Sequence, residues 1–255
     1  MPDRCDGIAA ALRGPRIILV NTSHPGNIGA SARAMKNMGL ERLGLVQPKI
    51  FPSAEATARA SGADDLLARA QVFSSLDDAL IDCTLVLGAS ARCRTLPVPM
   101  LDPRACGRLI AEQAELEGIA LLFGHERTGL TNAEIDRCHH LVQIPANPDY
   151  PSLNIAAAVQ VIAYELRMAF LERGTEPAVV ESVDYATDGQ MEHFYEHLEK
   201  TLIALDFLNP AQPRQLMRRL RRLFGRARLD QNELNILRGI LTAVGRKKHR
   251  HRSEL

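Results

Sequence analysis

Three short segments combine residue types able to do chemistry with turn-forming residues. The first, SHPGNIGASARAMKNMG (23–39), places Gly26, Asn27, Gly29 and Arg33 directly after an apolar run. Glycines opening a helix suggest an anion- or nucleotide-binding turn. However, Gly26 and Gly29 do not match the G-x-G-x-x-G spacing, and no acidic residue ends the next apolar run, LGLVQP. A nicotinamide enzyme needs such a residue for its ribose. A plain tight turn with a solvated arginine stays open as an alternative. The second segment, LLFGHERTGLTNAEID (121–136), sets Glu126 and Arg127 between Gly124 and Gly129. Its Thr131 and Glu134 read as a capping box. The third, IPANPDYPSLNIAAAVQ (144–160), has a loop stiffened by Pro145, Pro148 and Pro151, with Ser152 as the expected helix cap and Asn154 in the first turn.

These segments need rigid elements to hold them. Runs at 16–21, 43–47, 71–75, 83–90, 119–124 and 140–145 are apolar and bounded by turn residues. That is the pattern of strands buried on both faces. Helical patterns lie between and after them, at 28–38, 53–60, 64–70, 76–81, 103–116, 131–137 and 153–172. The alternation predicts an α/β fold with a parallel sheet covered by helices. The helix at 153–172 is apolar nearly all round, so it is expected to be buried against the sheet, a partner subunit or both.

Residues 1–15 are expected to be a loose leader, 16–172 the α/β domain, 173–188 a linker, 189–245 a helical extension and 246–255 a basic tail. In the extension, Met191, Phe194, Tyr195, Leu198, Leu202 and Leu205 form one stripe. A second has Leu216, Leu220, Leu223 and Phe224 inward with arginines opposite. The third, capped by Asp230, carries Leu234, Ile236, Leu237, Ile240, Leu241 and Val244.

With 255 residues, 46% of them hydrophobic, the chain can bury a sizeable core. Its five cysteines form no C-x-x-C pair, which disfavours a disulfide framework or a zinc ribbon and suggests a reducing compartment. No metal is expected. No apolar run is long enough to span a bilayer, and no signal peptide is evident, so a cytoplasmic protein is expected. The net charge of +1 conceals a split: residues 211–255 hold 13 Lys/Arg against 3 Asp/Glu. A basic module on an acidic body suggests a polyanionic partner.

Taken in order, the three segments resemble the signature motifs of the SpoU/TrmH family of RNA 2′-O-ribose methyltransferases, in the SPOUT superfamily. The matches are N-x-G-x-x-x-R at Asn27, Gly29 and Arg33; G-x-E-x-x-G-L at Gly124, Glu126, Gly129 and Leu130; and S-L-N-x-A-x-A at Ser152, Leu153, Asn154, Ala156 and Ala158. The stretch GASARCRTLPVPMLDPR (88–104) and the C-terminal NELNILRGIL resemble the TrmJ branch, which methylates nucleotide 32 of the tRNA anticodon loop. The resemblance implies a parallel-sheet SPOUT domain with a C-terminal trefoil knot, a homodimer with its site at the interface, and S-adenosylmethionine as methyl donor. It further implies cofactor contacts at Ala89, Ser90, Ala91, Gly124, Ile144, Pro151, Ser152 and Leu153. Catalytic roles would fall to Arg33, Asn27, Glu126, Ser152 and Asn154.

The family assigns removal of the hydroxyl proton to the motif-one arginine, here Arg33, whereas a guanidinium that stays protonated suits stabilisation of the forming alkoxide. Arg218, Arg219, Arg221, Arg222, Arg226 and Arg228 are the expected tRNA contacts. Three other readings stand beside this one: a methyltransferase for another tRNA position or rRNA, a non-catalytic RNA-binding relative, and a nicotinamide enzyme.

Overall fold

In the computed structural model, which describes residues 2–91, 98–174 and 183–252 (side chains from 7 to 246 within those spans), the apolar runs form a parallel sheet. Its strands are β1 (Arg16–Val20), β2 (Arg42–Val46), β3 (Gln71–Phe73), β4 (Leu85–Ala89), β5 (Met100–Leu101), β6 (Ile119–Phe123) and β7 (His140–Val142). Six were expected; β5, only two residues long, is too short to leave a periodic signal. The spatial order is β3-β2-β1-β6-β4-β7-β5, and every pairing is parallel. The helices with them are α1 (Pro2–Leu12), α2 (Pro25–Met38), α3 (Ala54–Ala60), α4 (Asp64–Ala68), α5 (Leu76–Leu80), α6 (Pro103–Ala111), α7 (Asn132–Ile135) and α8 (Ile155–Arg173).

Alternate residues of the central strands feed two separate cores. Ile17, Leu19, Leu121 and Phe123 pack with buried residues of α2, α6 and α8, whereas Ile18, Val20, Ala120 and Leu122 pack with Ala79, Leu80 and Ile135 of α5 and α7. This period-two division explains why the runs read as continuously apolar: both faces of the sheet are covered.

The N-terminal segment is not a loose leader. It forms α1, and its Ile8 and Leu12 are buried in the first core. Among the described side chains, Ile8 and Leu12 are buried and Ala11 packs against the same core, too few to register as a pattern. Helix α8 is buried along Ile155, Val159, Ile162, Leu166 and Phe170, and it packs on α2 and α6. Its opposite side exposes Ala157, Tyr164 and Leu171, with Val161 and Met168 half-buried between them. These recur at helical spacing, so one apolar stripe of α8 stays uncovered in the single chain.

The chain divides into two compact units, Met1–Ser182 and Val183–Leu255. Of the expected linker, residues 175–182 lie outside the described residues. Ala186 and Thr187 belong to the second unit, as a core residue and the cap of its first helix. That unit holds α9 (Asp188–Ala204), α10 (Leu216–Ala227) and α11 (Gln231–Arg252). Asp230 caps α11 as expected: its carboxylate accepts from Glu233 N at 2.8 Å, and Glu233 answers on Asp230 N at 3.1 Å. Residues 246–252 of the expected tail continue α11, and 253–255 lie outside the described residues.

The packing register of this unit departs from expectation. Met217, Leu220 and Phe224 of α10 face the core, while Leu223 is 49% exposed. Leu205, Ile236 and Ile240 are exposed as well. Phe224 sets the register by packing edge-on against Phe194 at 5.0 Å.

In the first unit, Gly29 is the position where space is least. A Cβ there would lie 2.0 Å from the Ala56 carbonyl oxygen, because α2 and α3 cross backbone to backbone. Gly29→Ala is therefore expected to lower stability by about 3 kcal/mol, through forced separation of the two helices. Thermal unfolding should register this as a fall in Tm of roughly 6–10 °C; an unchanged Tm would refute it.

Candidate active site

The reversal in strand order lies between β1 and β6, and the segments leaving these two strands meet there. Open parallel sheets bind ligands at the carboxyl ends of strands beside such a reversal. Pro25 at the first helical position and His24 as cap begin α2 earlier than the helical pattern suggested, so Asn27 falls in its first turn.

Glu126 reaches across from the loop after β6 to this turn. Its carboxylate accepts from Ser23 N (3.1 Å to each oxygen), Ser23 Oγ (3.0 Å), His24 N (3.1 Å) and Asn27 Nδ2 (3.0 Å). Burial opposes ionisation of this group. The hydrogen bonds from the Asn27 side chain and from the backbone N–H groups of Glu126, Ser23 and His24 outweigh it, and hold the carboxyl at about 2.

The chain of contacts continues. Asn154 Nδ2 donates to Asn27 Oδ1 at 2.9 Å, and Asn154 Oδ1 accepts from Ala156 N at 2.9 Å. A carboxylate at one end and a helix N–H at the other fix the orientation of both amides. Asn154, not Ser152, is thus the cap of α8. Asparagine caps as well as serine does, and its amide has a second end to offer Asn27. Ser152 is exposed, and its hydroxyl holds no hydrogen bond among the described residues.

Beside this network opens a cavity of about 230 Å³ at the carboxyl ends of β4, β6 and β7. Ala89, Ser90, Ala91, Gly124, Ile144, Pro151, Ser152 and Leu153 all lie on its wall, along with Glu126. Phe123, Leu130, Val142, Ile155 and Ala158 make the interior apolar, and His125, Arg127, Thr128 and Gly129 complete the lining. The wall loop is folded tightly: Gly129 N donates to His125 O at 2.8 Å, and a Cβ on Gly124 would lie 2.3 Å from Gly129 C. Only glycine fits at 124. An apolar slot edged by backbone polar groups suits a flat heteroaromatic ring with a polar chain attached.

The sequence-derived site residues therefore fall into groups. Asn27, Glu126 and Asn154 are brought into one network, and Ser152 lies on the cavity wall. Arg33 is elsewhere: it is exposed on α2, off that wall, and makes no hydrogen bond or ion pair among the described residues. Ser23 and His24 were missed. Their contribution comes largely from main-chain N–H groups, which carry no side-chain signature, although the turn before Pro25 hints at donors left over.

In the second unit, the six arginines also divide. Arg221 makes a two-pronged pair with Glu192 and lies 4.3 Å over the Tyr195 ring, while Arg228 lies 4.0 Å over Tyr185. Arg218 and Arg222 are half-buried, and Arg219 and Arg226 are exposed.

The Glu126 geometry has a measurable signature. Its carboxyl is lowered from 4.5 to about 2 on folding, so it contributes stability present above pH 4.5 and lost as pH falls toward 2. Glu126→Gln would set an amide NH₂ against N–H donors, at a cost of about 1–3 kcal/mol. Denaturant titrations should show that deficit at pH 7 and its disappearance near pH 2. A deficit independent of pH would contradict the assignment.

Comparison with known proteins bears on the same segments. The SpoU rRNA methylase family profile matches residues 14–164, and that of the tRNA methyltransferase TrmJ C-terminal domain matches residues 189–253. The chain is 53% identical over 236 residues to a tRNA (cytidine/uridine/adenosine-2′-O-)-methyltransferase TrmJ of Pseudomonas aeruginosa, covering 89% of this chain and 92% of that protein. It is also 53% identical to a tRNA (cytidine/uridine-2′-O-)-methyltransferase TrmJ of Klebsiella pneumoniae, with 91% and 97% covered. Among solved structures, TrmJ from Zymomonas mobilis superposes with a TM-score of 0.80 at 33% identity, covering 91% of this chain and 99% of that one. A probable methylase family protein from Haemophilus influenzae gives 0.62 at 45% identity, covering 92% and 97%. The three segments that meet at the β1–β6 reversal all lie within the matched region, and the chain belongs to the SpoU methylase family, in its TrmJ branch.

Proposed function

We propose that this protein is an S-adenosylmethionine-dependent tRNA 2′-O-ribose methyltransferase that acts on cytidine and uridine at nucleotide 32 of the anticodon loop. The observation that carries the reading is the convergence of Glu126, Asn27 and Asn154 beside a cavity whose wall contains all eight residues expected to hold the cofactor. The tRNA substrate rests on relatives more than half identical over nine-tenths of the chain, and the nucleotide on resemblance to the TrmJ branch.

The cavity fits the cofactor chemically. Phe123, Leu130, Val142 and Ile144 offer apolar walls to an adenine, and the loops leaving β4, β6 and β7 offer N–H and C=O groups to its polar parts. When bound, S-adenosylmethionine would supply a sulfonium methyl to a ribose 2′-hydroxyl, leaving as the neutral thioether while the hydroxyl proton passes to solvent. The protein's part is to position that hydroxyl and stabilise the charge it develops. Arg33 takes this role as a permanent cation. Asn27, Glu126 and Asn154 hold the α2 and α8 termini in register, leaving Ser152 Oγ open to the ribose.

The active form in this reading is a homodimer with its sites at the interface. The uncovered stripe Ala157–Val161–Tyr164–Met168–Leu171 of α8 supports this, as does the position of Arg33 off its own cavity wall. A trefoil knot belongs to the reading too. It rests on the family resemblance, and the placement of β7 between β4 and β5 in the sheet is compatible with it. Residues 92–97, between β4 and β5 in the chain, lie outside the described residues.

Arg33→Ala should lower methyl transfer at least about 100-fold while leaving S-adenosylmethionine binding within twofold by calorimetry. Normal turnover by the variant would remove Arg33 from the mechanism. In the C-terminal unit, Arg219→Ala and Arg226→Ala should each reduce the slope of log affinity for tRNA against log salt by about 1. Arg221→Ala should instead lower stability, by roughly 2 kcal/mol, because its half-buried pair with Glu192 is broken. A salt response unchanged in the first two variants would exclude them as phosphate contacts.

A further inference from the structure

Glu126 and Arg127 are adjacent and of opposite charge, yet they do not neutralise one another. The Glu126 carboxylate is taken up by Ser23, His24 and Asn27. Arg127 lies on the cavity wall, is exposed, and its side chain makes no hydrogen bond or ion pair among the described residues. The loop does not need that side chain in order to fold. Its shape comes from Arg127 N donating to His125 Nδ1 at 3.1 Å, from Gly129 N donating to His125 O at 2.8 Å, and from the close packing at Gly124. His125 Nδ1 is thereby taken up within the loop as an acceptor.

An uncompensated guanidinium at the mouth of an apolar cavity calls for an anion. Two are at hand in the proposed reaction: the carboxylate of the cofactor's amino-acid end and a phosphodiester of the substrate. The cofactor also carries a sulfonium and an ammonium, which a nearby guanidinium repels, and a group that held it would be covered together with the cavity. Arg127 is exposed. A polynucleotide, by contrast, must bring its backbone to the rim in order to place a ribose over the cavity, and a planar guanidinium matches phosphate oxygens two at a time.

We propose that Arg127 is a positioning residue that grips a backbone phosphate next to the target ribose. The proposal rests on the methyltransferase reading above.

The test uses the full-length protein as wild type, Arg127→Ala and Arg127→Lys, with a tRNA transcript and S-adenosylmethionine as probes. The alanine variant should keep the wild-type Tm and cofactor Kd, hold kcat within about threefold, raise KM for tRNA about tenfold, and lower the salt slope by about 1. Lysine, which keeps the charge, should recover most of the loss. An unchanged tRNA KM in the alanine variant would overturn the proposal. So would a weakened cofactor Kd with an unchanged tRNA KM, which would assign Arg127 to the carboxylate. Wild-type protein that neither binds S-adenosylmethionine nor methylates tRNA would instead sink the underlying reading, a result distinct from either of these.

Discussion

The first unit is organised around a carboxylate satisfied by neutral donors. Helix α2 has no acidic residue in its own first turn, so its amino end lacks the negative charge that its dipole favours. Glu126 supplies that charge from a segment 99 residues further along the chain from Asn27. The bond ties the loop after β6 to the turn after β1, and the Asn27–Asn154 amide pair extends the tie to the start of α8. Three segments distant in sequence are thereby fixed at the β1–β6 reversal. The cavity walls follow, because the loop at 124–130 and the stretch at 151–155 both take part in lining it.

The choice of neutral donors has an electrostatic consequence. A carboxylate has about four lone-pair sites, and here the donors of Ser23, His24 and Asn27 occupy them. No arginine is needed to balance it, although Arg127 is its neighbour in the chain. The negative charge is delocalised into a helix terminus, and the positive charges of Arg33 and Arg127 stay exposed. In the proposed reaction both ligands and the developing charge come from outside the protein. A site with its cations already paired internally would have to break those pairs in order to act, whereas this one is organised in advance.

Much of this was legible in the sequence. Six of seven strands announced themselves as apolar runs, the central ones because both faces of the sheet are buried there. The Thr131–Glu134 capping box and the Asp230 cap were visible because capping depends on residues close in sequence. What failed to register was non-local or main-chain. Asn154 as the α8 cap is favoured by its bond to Asn27, a partner 127 residues distant. Ser23 acts largely through its N–H, and Gly29 answers to the backbone of α3 rather than to a ligand. Helix α1 leaves no sequence signal because its described core contacts, Ile8, Ala11 and Leu12, are too few to make a pattern. In α10 the buried stripe takes in Met217 instead of Leu216 and Leu223, because aromatic packing by Phe224 decides the register.

That shift also changes what the basic C-terminal unit presents. With Met217, Leu220 and Phe224 turned inward, Arg221 is drawn against Glu192 and Tyr195, and its charge serves the unit's own packing. Arg228, which ends α10 in a left-handed conformation, is held over Tyr185, where burial lowers its pKa. A cluster of six arginines is therefore a poor measure of six phosphate contacts. The outward face of α10 instead carries Arg219, Leu223 and Arg226 at helical spacing, two cations with an apolar side chain between them. In the proposed tRNA-binding reading, that face, and not the whole cluster, is what the unit offers to a phosphate backbone.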